Sequence, residues 1–425
     1  MSRCFSLAGK HMYESLYKIY YKRNTEWQGE YERRIHSVEA QVLPLTVSQY
    51  GHSEEYRAFF CYTKDAAILQ ERIRQEFSEC QKLIYRLPHS AIAFFLRASI
   101  VDEVKSTNDI EGVHSTRREI RQALSMTADE RKSQRMGTMV DTYLRLLARE
   151  EICFAESRDI RALYDAFLAD EIRSEDEDNL PDGTIFRRNS VDIVSASQKV
   201  VHRGLYPEAK IISCMDQALM ILRDEAIPVF YRVALFHYFF GYIHPFYDGN
   251  GRLSRFITAY FLAKELDPVV ALQLSVLIKQ NRKRYYELLS VTDASINCGD
   301  MTTFIIGMLE FIAQTVSYTR AVLEEKERLY LKGLEKIQDI AGANKKVFVF
   351  YDLLLQAACF SDCGATMQDI RKFTGKSENT VYAYLDKIPA DMLLVDKKYR
   401  PYHYRLDLGE NLDQSTASMI SITGS

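Results

Sequence analysis

PVFYRVALFHYFFGYIHPFYDGNGRLSRFITAYFLA, from Pro228 to Ala263, decides how this chain is read. Proline with its fixed φ suits the start of a helix, and from Pro228 to Ile243 apolar residues fall on nearly every face, which predicts a buried central helix. A second apolar helix is expected from about Phe256 to Leu262. Between them, His244 to Arg255 packs a base, a carboxylate, two glycines, an amide and two arginines into one short segment. Few purely structural tasks need that mixture.

Gly249 and Gly251 allow backbone N–H groups to converge at the positive end of the second helix, a concavity suited to phosphate. Arg252 and Arg255 lie three apart, on one helical face, and can grip phosphate oxygens with forked hydrogen bonds. Asp248 is placed to hold a Mg²⁺ that bridges phosphates. His244 is the nearby group whose ordinary pKa suits proton abstraction near neutrality. The competing reading is a plain helix-loop-helix corner, in which the glycines turn the chain, Asp248 caps a helix and the arginines form ion pairs.

The string His244-Pro245-Phe246-Tyr247-Asp248-Gly249-Asn250-Gly251-Arg252-Leu253-Ser254-Arg255 resembles the Fic signature, His-x-Phe-x-Asp/Glu-Gly-Asn-Gly-Arg-x-x-Arg, at every specified position. The resemblance runs roughly from Leu163 to Leu309, through Gly183-x-x-Phe186-Arg187 with Val191, Val201-His202-Arg203-Gly204 before Met215, and Asn281-Arg282 with Tyr285-Tyr286. It implies an all-helical Fic fold that transfers AMP from ATP to a Tyr, Thr or Ser hydroxyl of a target protein or of itself, releasing pyrophosphate. His244 would take the hydroxyl proton, Asp248 would hold Mg²⁺, and Gly249, Asn250 and Gly251 would form the anion hole. Arg252 would hold the β-phosphate region and Arg255 the γ-phosphate. Phe246 would anchor the loop in the core, while Tyr247 and Ser254 occupy variable positions without a role.

Residues 201 to 211, including His202, Arg203 and Gly204, would be a flap hairpin on which the target adds as a strand. His202 reads there as a packing or edge residue rather than a second base. His237, seven before His244, reads as a buried hydrogen-bonded histidine, and Tyr285 and Tyr286 as adenine neighbours or as core. Upstream, the polar corner from Ser106 to Gly112 contains Thr107-Asn108-Asp109-Ile110-Glu111-Gly112, which resembles the Fic inhibitory motif, Ser/Thr-x-x-x-Glu-Gly/Asn. By that resemblance Glu111 would bond Arg255 and obstruct the γ-phosphate pocket. The plain alternative makes Thr107 or Asp109 a helix cap and Glu111 a surface charge.

The whole chain fits a mainly α protein: 425 residues contain only nine prolines and eighteen glycines, and apolar residues recur at three and four positions through most of it. The expected organisation is an N-terminal helical region carrying the inhibitory motif (1–130), a Fic core with a small β-hairpin flap (131–312), a helical connector (313–342), a winged helix-turn-helix (343–408) and a tail (409–425). Hydrophobic residues at 47% and charged residues at 27% exclude a mainly disordered chain. With 55 Lys and Arg against 58 Asp and Glu, no global field draws the protein to nucleic acid or an anionic membrane. Eight cysteines scattered through the chain read as reduced thiols, no segment reads as a signal peptide or membrane span, and a cytoplasmic location is expected.

Lys376, Asn379 and Tyr382 would face outward on a recognition helix, with Lys397, Lys398 and Arg400 on the wing. Yet residues 343–407 hold ten Lys or Arg against eight Asp or Glu, thin for a DNA reader, and such modules also dock proteins or form homodimers. A self-inhibited adenylyltransferase is therefore the leading expectation. The alternatives are removal of AMP by way of Glu111, a nucleotide-sensing DNA-binding regulator, or transfer of another phosphate-containing group.

Overall fold

A computed structural model describes residues 13–194, 200–341, 344–397 and 401–407. Cys4, Lys398, Arg400 and residues 409–425 lie outside them. The described residues are mainly helical, with three small antiparallel sheets. None of the described helices is long and apolar enough to cross a membrane, and the described cysteines are free thiols.

The expected central helix is Val229–Ile243, capped by Pro228, and it is buried on nearly all sides. The motif helix, Asn250–Glu265, packs against it. The central helix rests on a 40-residue helix, Thr302–Ala341, which runs unbroken from the expected core into the expected connector, while the motif helix packs on His89–Glu111. The same long helix carries Lys64–Arg86 along its side and Lys345–Phe360 near its end.

Helix His89–Glu111 corrects one sequence expectation. The polar corner is the last turn and a half of this helix, Thr107 to Glu111, with Ser106, Thr107 and Asn108 buried. Neither Thr107 nor Asp109 is a cap. The stop comes at Gly112, whose φ of 77° places it in the left-handed region where a side chain would be strained. Asp109 instead pairs with Lys105 and with Lys279, the latter at 2.6 Å.

The expected N-terminal helical region also contains a hairpin, Ala40–Val47 with Tyr56–Cys61, whose first strand alternates buried Leu43, Leu45 and Val47 with exposed neighbours. That period of two was missed beside the stronger helical periodicity around it. The flap differs as well. Its hairpin pairs Asp192–Val194 with Val200–Arg203, whereas residues 208–211 begin helix Glu208–Arg223 behind Pro207.

Near the C-terminus, helices Lys345–Phe360, Met367–Thr374 and Glu378–Leu385 precede strands Leu393–Asp396 and His403–Leu406, with the short strand Ala365–Thr366 joining the sheet. Lys376, Asn379 and Tyr382 are exposed. These elements share one apolar core with the rest, and they grip the first half of helix His89–Glu111. Ser90 bonds Gln356, Arg97 bonds Asp369 at 2.5 Å, and Phe94 packs on Phe373 with ring centroids 5.6 Å apart.

Candidate active site

The loop between the central and motif helices is fixed from inside. Phe246 is fully buried, stacked on Tyr164 at 3.8 Å and edged by Phe186 at 5.4 Å. Asn250 closes the loop on itself, accepting from Phe246 N at 3.0 Å and donating to Phe246 O at 2.8 Å. Its side chain is therefore a brace, which differs from the expected anion-hole role and leaves only its backbone N–H to face an anion. Gly249, at φ 86°, turns the chain into the helix. Replacing Phe246 with Ala should destabilise the fold by about 3–5 kcal/mol, as for other buried Phe truncations, measurable by urea unfolding.

His244 ends the central helix in a left-handed conformation, φ 52°. Its Nδ1 lies 3.3 Å from Gly241 O, a contact that calls for a proton on Nδ1 and leaves Nε2 as the free acceptor. Desolvation first, then the positive charges of His202 and Arg187, hold the imidazole well below its usual pKa. It is neutral at physiological pH, the state in which an imidazole can accept a proton.

The two arginines have distinct surroundings. Arg252 is fully buried and donates to Glu171 Oε1 at 3.1 Å and to Asp248 Oδ2 at 3.0 Å. Asp248 also accepts from Gly249 N at 2.5 Å, and its side chain remains 41% exposed. Arg255 donates to Thr107 Oγ1 at 2.8 Å and Thr107 O at 3.0 Å, and pairs with Glu111 Oε1 at 2.7 Å. Glu111 fills the space beside Gly251 as well: a Cβ there would stand 2.1 Å from Glu111 Oε1. The carboxylate thus lies at the N-terminus of the motif helix, where unpaired N–H groups and the helix dipole favour an anion.

His202, on the flap, places Nδ1 3.1 Å from Asp293 Oδ2 and Nε2 2.7 Å from Tyr242 O. Two acceptors require both ring nitrogens to donate. Burial alone would lower its pKa, but the Asp293 bond leads a set of contacts that raise it overall. A raised folded-state value stabilises the fold fully below the unfolded-state pKa of about 6.5, and that contribution is lost as pH rises through the folded value. Chemical denaturation across that range should show the loss in the native protein and a flatter profile in His202→Gln. Arg203 is exposed and pairs with Asp192 across the hairpin, and Gly204 N donates to Val191 O at 3.0 Å.

Tyr285 and Tyr286 part company. Tyr285 is buried with its hydroxyl 2.7 Å from His237 Nε2, while His237 Nδ1 lies 2.8 Å from Thr258 Oγ1 and 3.1 Å from Ser254 Oγ. That makes Tyr285 part of a core network. Tyr286, 40% exposed and near Ile110 O at 3.5 Å, lies at the rim beside Glu111. Tyr247 braces the loop by bonding Asp182 and Asn189 N, both at 3.0 Å.

Three residues given no role from sequence support this site. Glu171 backs Arg252, as described. Glu103, two turns before Glu111, is buried against Ser275 and Tyr143, and burial pushes its carboxyl up to about 7. Arg187 donates to His244 O at 2.9 Å. A lone Glu on an amphipathic helix carries no mark of such burial, and Arg187 entered the sequence reading only as part of the Gly183-x-x-Phe186-Arg187 pattern, with no role attached.

The start of the motif helix is thus flanked by a neutral histidine at one side and the Glu111 carboxylate at the other. Residues 154–262 match the model of the Fic/DOC family. It is similar to a protein adenylyltransferase Fic of Nematostella vectensis, 32% identical over 111 residues that make up 26% of this chain and 23% of that protein. A protein adenylyltransferase Fic of Aedes aegypti is 39% identical over 92 residues, 22% of this chain and 16% of its own. The match thus spans less than a quarter of these relatives' length. A Fic family protein from Desulfovibrio desulfuricans G20 overlays on 82% of this chain and 97% of its own at 18% identity and TM-score 0.47, too loosely to bear on the reading.

Proposed function

We propose that this protein is a self-inhibited protein adenylyltransferase, which transfers AMP from ATP to a hydroxyl of a protein and is held in check by Glu111. The observation that carries the reading is the meeting of Glu111 with Arg255 at 2.7 Å over Gly251, beside the complete loop that begins at His244. A carboxylate in that position competes with phosphate for the same guanidinium and the same N–H groups.

In the proposed reaction His244, neutral with Nε2 free, takes the proton of the target hydroxyl as that oxygen attacks the α-phosphorus. The bond to the β-phosphate side breaks and pyrophosphate leaves. The backbone N–H groups of the motif helix's first turn hold the developing charge, and Arg255, once freed of Glu111, holds the γ-phosphate. The flap edge would dock the target by strand pairing, with His202 fixing the flap to Asp293 and Tyr242.

Asp248 suits a magnesium ion carried in on phosphates: it offers one part-exposed carboxylate, and Mg²⁺ commonly takes one or two carboxylates with phosphate oxygens and water. Such an ion would supply neutralisation of phosphate charge. To serve it, Asp248 must give up some of its contact with Arg252.

Incubating the Glu111→Gly protein with cell lysate and ATP labelled at the α- or the γ-phosphate tests the reading. Covalent label from the α-position alone supports AMP transfer. Label from the γ-position alone would mean phosphorylation and overturn it.

A further inference from the structure

Arg187 is fully buried, and among the described residues it forms no ion pair. Its guanidinium is spent on backbone carbonyls: Nε donates to His244 O at 2.9 Å, Nη2 to Leu205 O at 2.8 Å, and Nη1 to Asn189 O. Its own N–H reaches Pro245 O at 3.3 Å, and Leu205 N donates to Ile243 O at 3.1 Å. One side chain therefore joins the turn that carries the base, the chain just beyond the flap strand, and its own loop. That loop is itself pinned, because Glu208 accepts from the N–H groups of Thr184, Ile185 and Phe186.

A buried charge without a counter-ion is costly, and burial draws Arg187 down to about 10 while leaving it protonated at neutral pH. Leucine or methionine would fill the space without that cost. What the arginine adds is a rigid fork, directed at a carbonyl in a left-handed turn that a non-glycine residue adopts only under constraint. Gly204 makes room for it: a Cβ at that position would stand 2.4 Å from Arg187 Nη2 and 3.0 Å from His244 Cβ.

We infer that Arg187 is a positioning residue for the base, locking the turn at His244 and tying it to the end of the flap so that imidazole and docked target share one frame. This rests on the transfer reaction proposed above. Arg187 also acts on the imidazole through space. The charged groups facing His244 are Arg187 and His202, with Asp293 behind His202, while Asp248 lies further along the same loop.

The test uses the Glu111→Gly protein as parent and compares Arg187→Gln, Arg187→Lys and Gly204→Ala within it. Misplacing a reacting group by about 1 Å costs on the order of 100-fold in rate, so Arg187→Gln should lower kcat by about that factor while KM for ATP stays within about twofold. His244, followed by NMR of histidine-labelled protein, should titrate about one pH unit higher in Arg187→Gln, because a neighbouring cation is gone. Arg187→Lys should restore the titration but only part of the rate, since a point charge cannot serve three carbonyls. Gly204→Ala keeps the charge while crowding the fork, so the rate should fall with the titration in place. Should Arg187→Gln fail to fold by thermal melting, Arg187→Lys and Gly204→Ala carry the test. Folded variants with kcat and His244 titration like the parent would overturn the inference. A parent without any transfer from ATP would instead sink the proposed reaction; the positioning role is then read from the His244 ring chemical shifts at neutral pH, which should move in the charge-keeping Gly204→Ala and would overturn the inference if they did not.

Discussion

Replacing Glu111 with glycine is expected to raise the initial rate of AMP transfer by about 100-fold or more, the scale on which one oriented charge-stabilising group acts in a transition state. The carboxylate is bonded to Arg255, and it occupies the space beside Gly251 at the positive end of the motif helix. Removing it frees one guanidinium edge and the first-turn N–H groups together. Arg255 should stay aligned, because Thr107 accepts two of its hydrogen bonds through its hydroxyl and carbonyl. Glu111→Gln tests the charge more finely, since it keeps the bulk of the plug and removes only its ion pair, and an intermediate rate is expected from it. Initial-rate measurements at saturating ATP give the comparison.

The second large effect concerns His244. In the Glu111→Gly protein, His244→Ala should lower the transfer rate by about 100-fold to 10,000-fold, the range of a general base, while ATP affinity measured by calorimetry stays close to the parent's. The two readouts separate because the imidazole contacts its own helix through Gly241 O, whereas the anion site is built from the following helix and its arginines. An equal fall in affinity would mean that His244 shapes the nucleotide site instead of serving the incoming hydroxyl.

The signature from His244 to Arg255 was legible because its chemistry is local: glycines, a carboxylate, an amide and two arginines at fixed spacing on either side of a helix start. The pairing of Arg255 with Glu111, 144 positions apart, could be read only through the resemblance of the Thr107 to Gly112 segment, since composition says nothing about which distant charges meet. The same segment was misjudged locally. Ser106, Thr107 and Asn108 looked like a polar corner, yet Thr107 is buried because Arg255 needs its hydroxyl and carbonyl.

Other parts were hidden for different reasons. Asn250 looked like an anion donor, and only the loop's closure shows its amide spent on Phe246. Tyr285 and Tyr286 are adjacent on one helix, so their opposite fates depend on rotation about the helix axis, which His237 fixes by accepting Tyr285 into the core. The hairpin at Ala40–Val47 is short enough to be overshadowed by long amphipathic helices. The hold of Gln356, Asp369 and Phe373 on helix His89–Glu111 joins residues more than 260 positions apart and leaves no trace in local pattern.

The central claim is that Glu111 restrains an otherwise complete AMP-transfer site. The most direct measurement is transfer of label from α-³²P-ATP with Mg²⁺, run side by side on the unmodified chain, Glu111→Gly, and Glu111→Gly with His244→Ala. Label near background, then strong, then near background again is the predicted sequence. Equal labelling of the unmodified chain and Glu111→Gly, or labelling that persists without His244, would contradict the account.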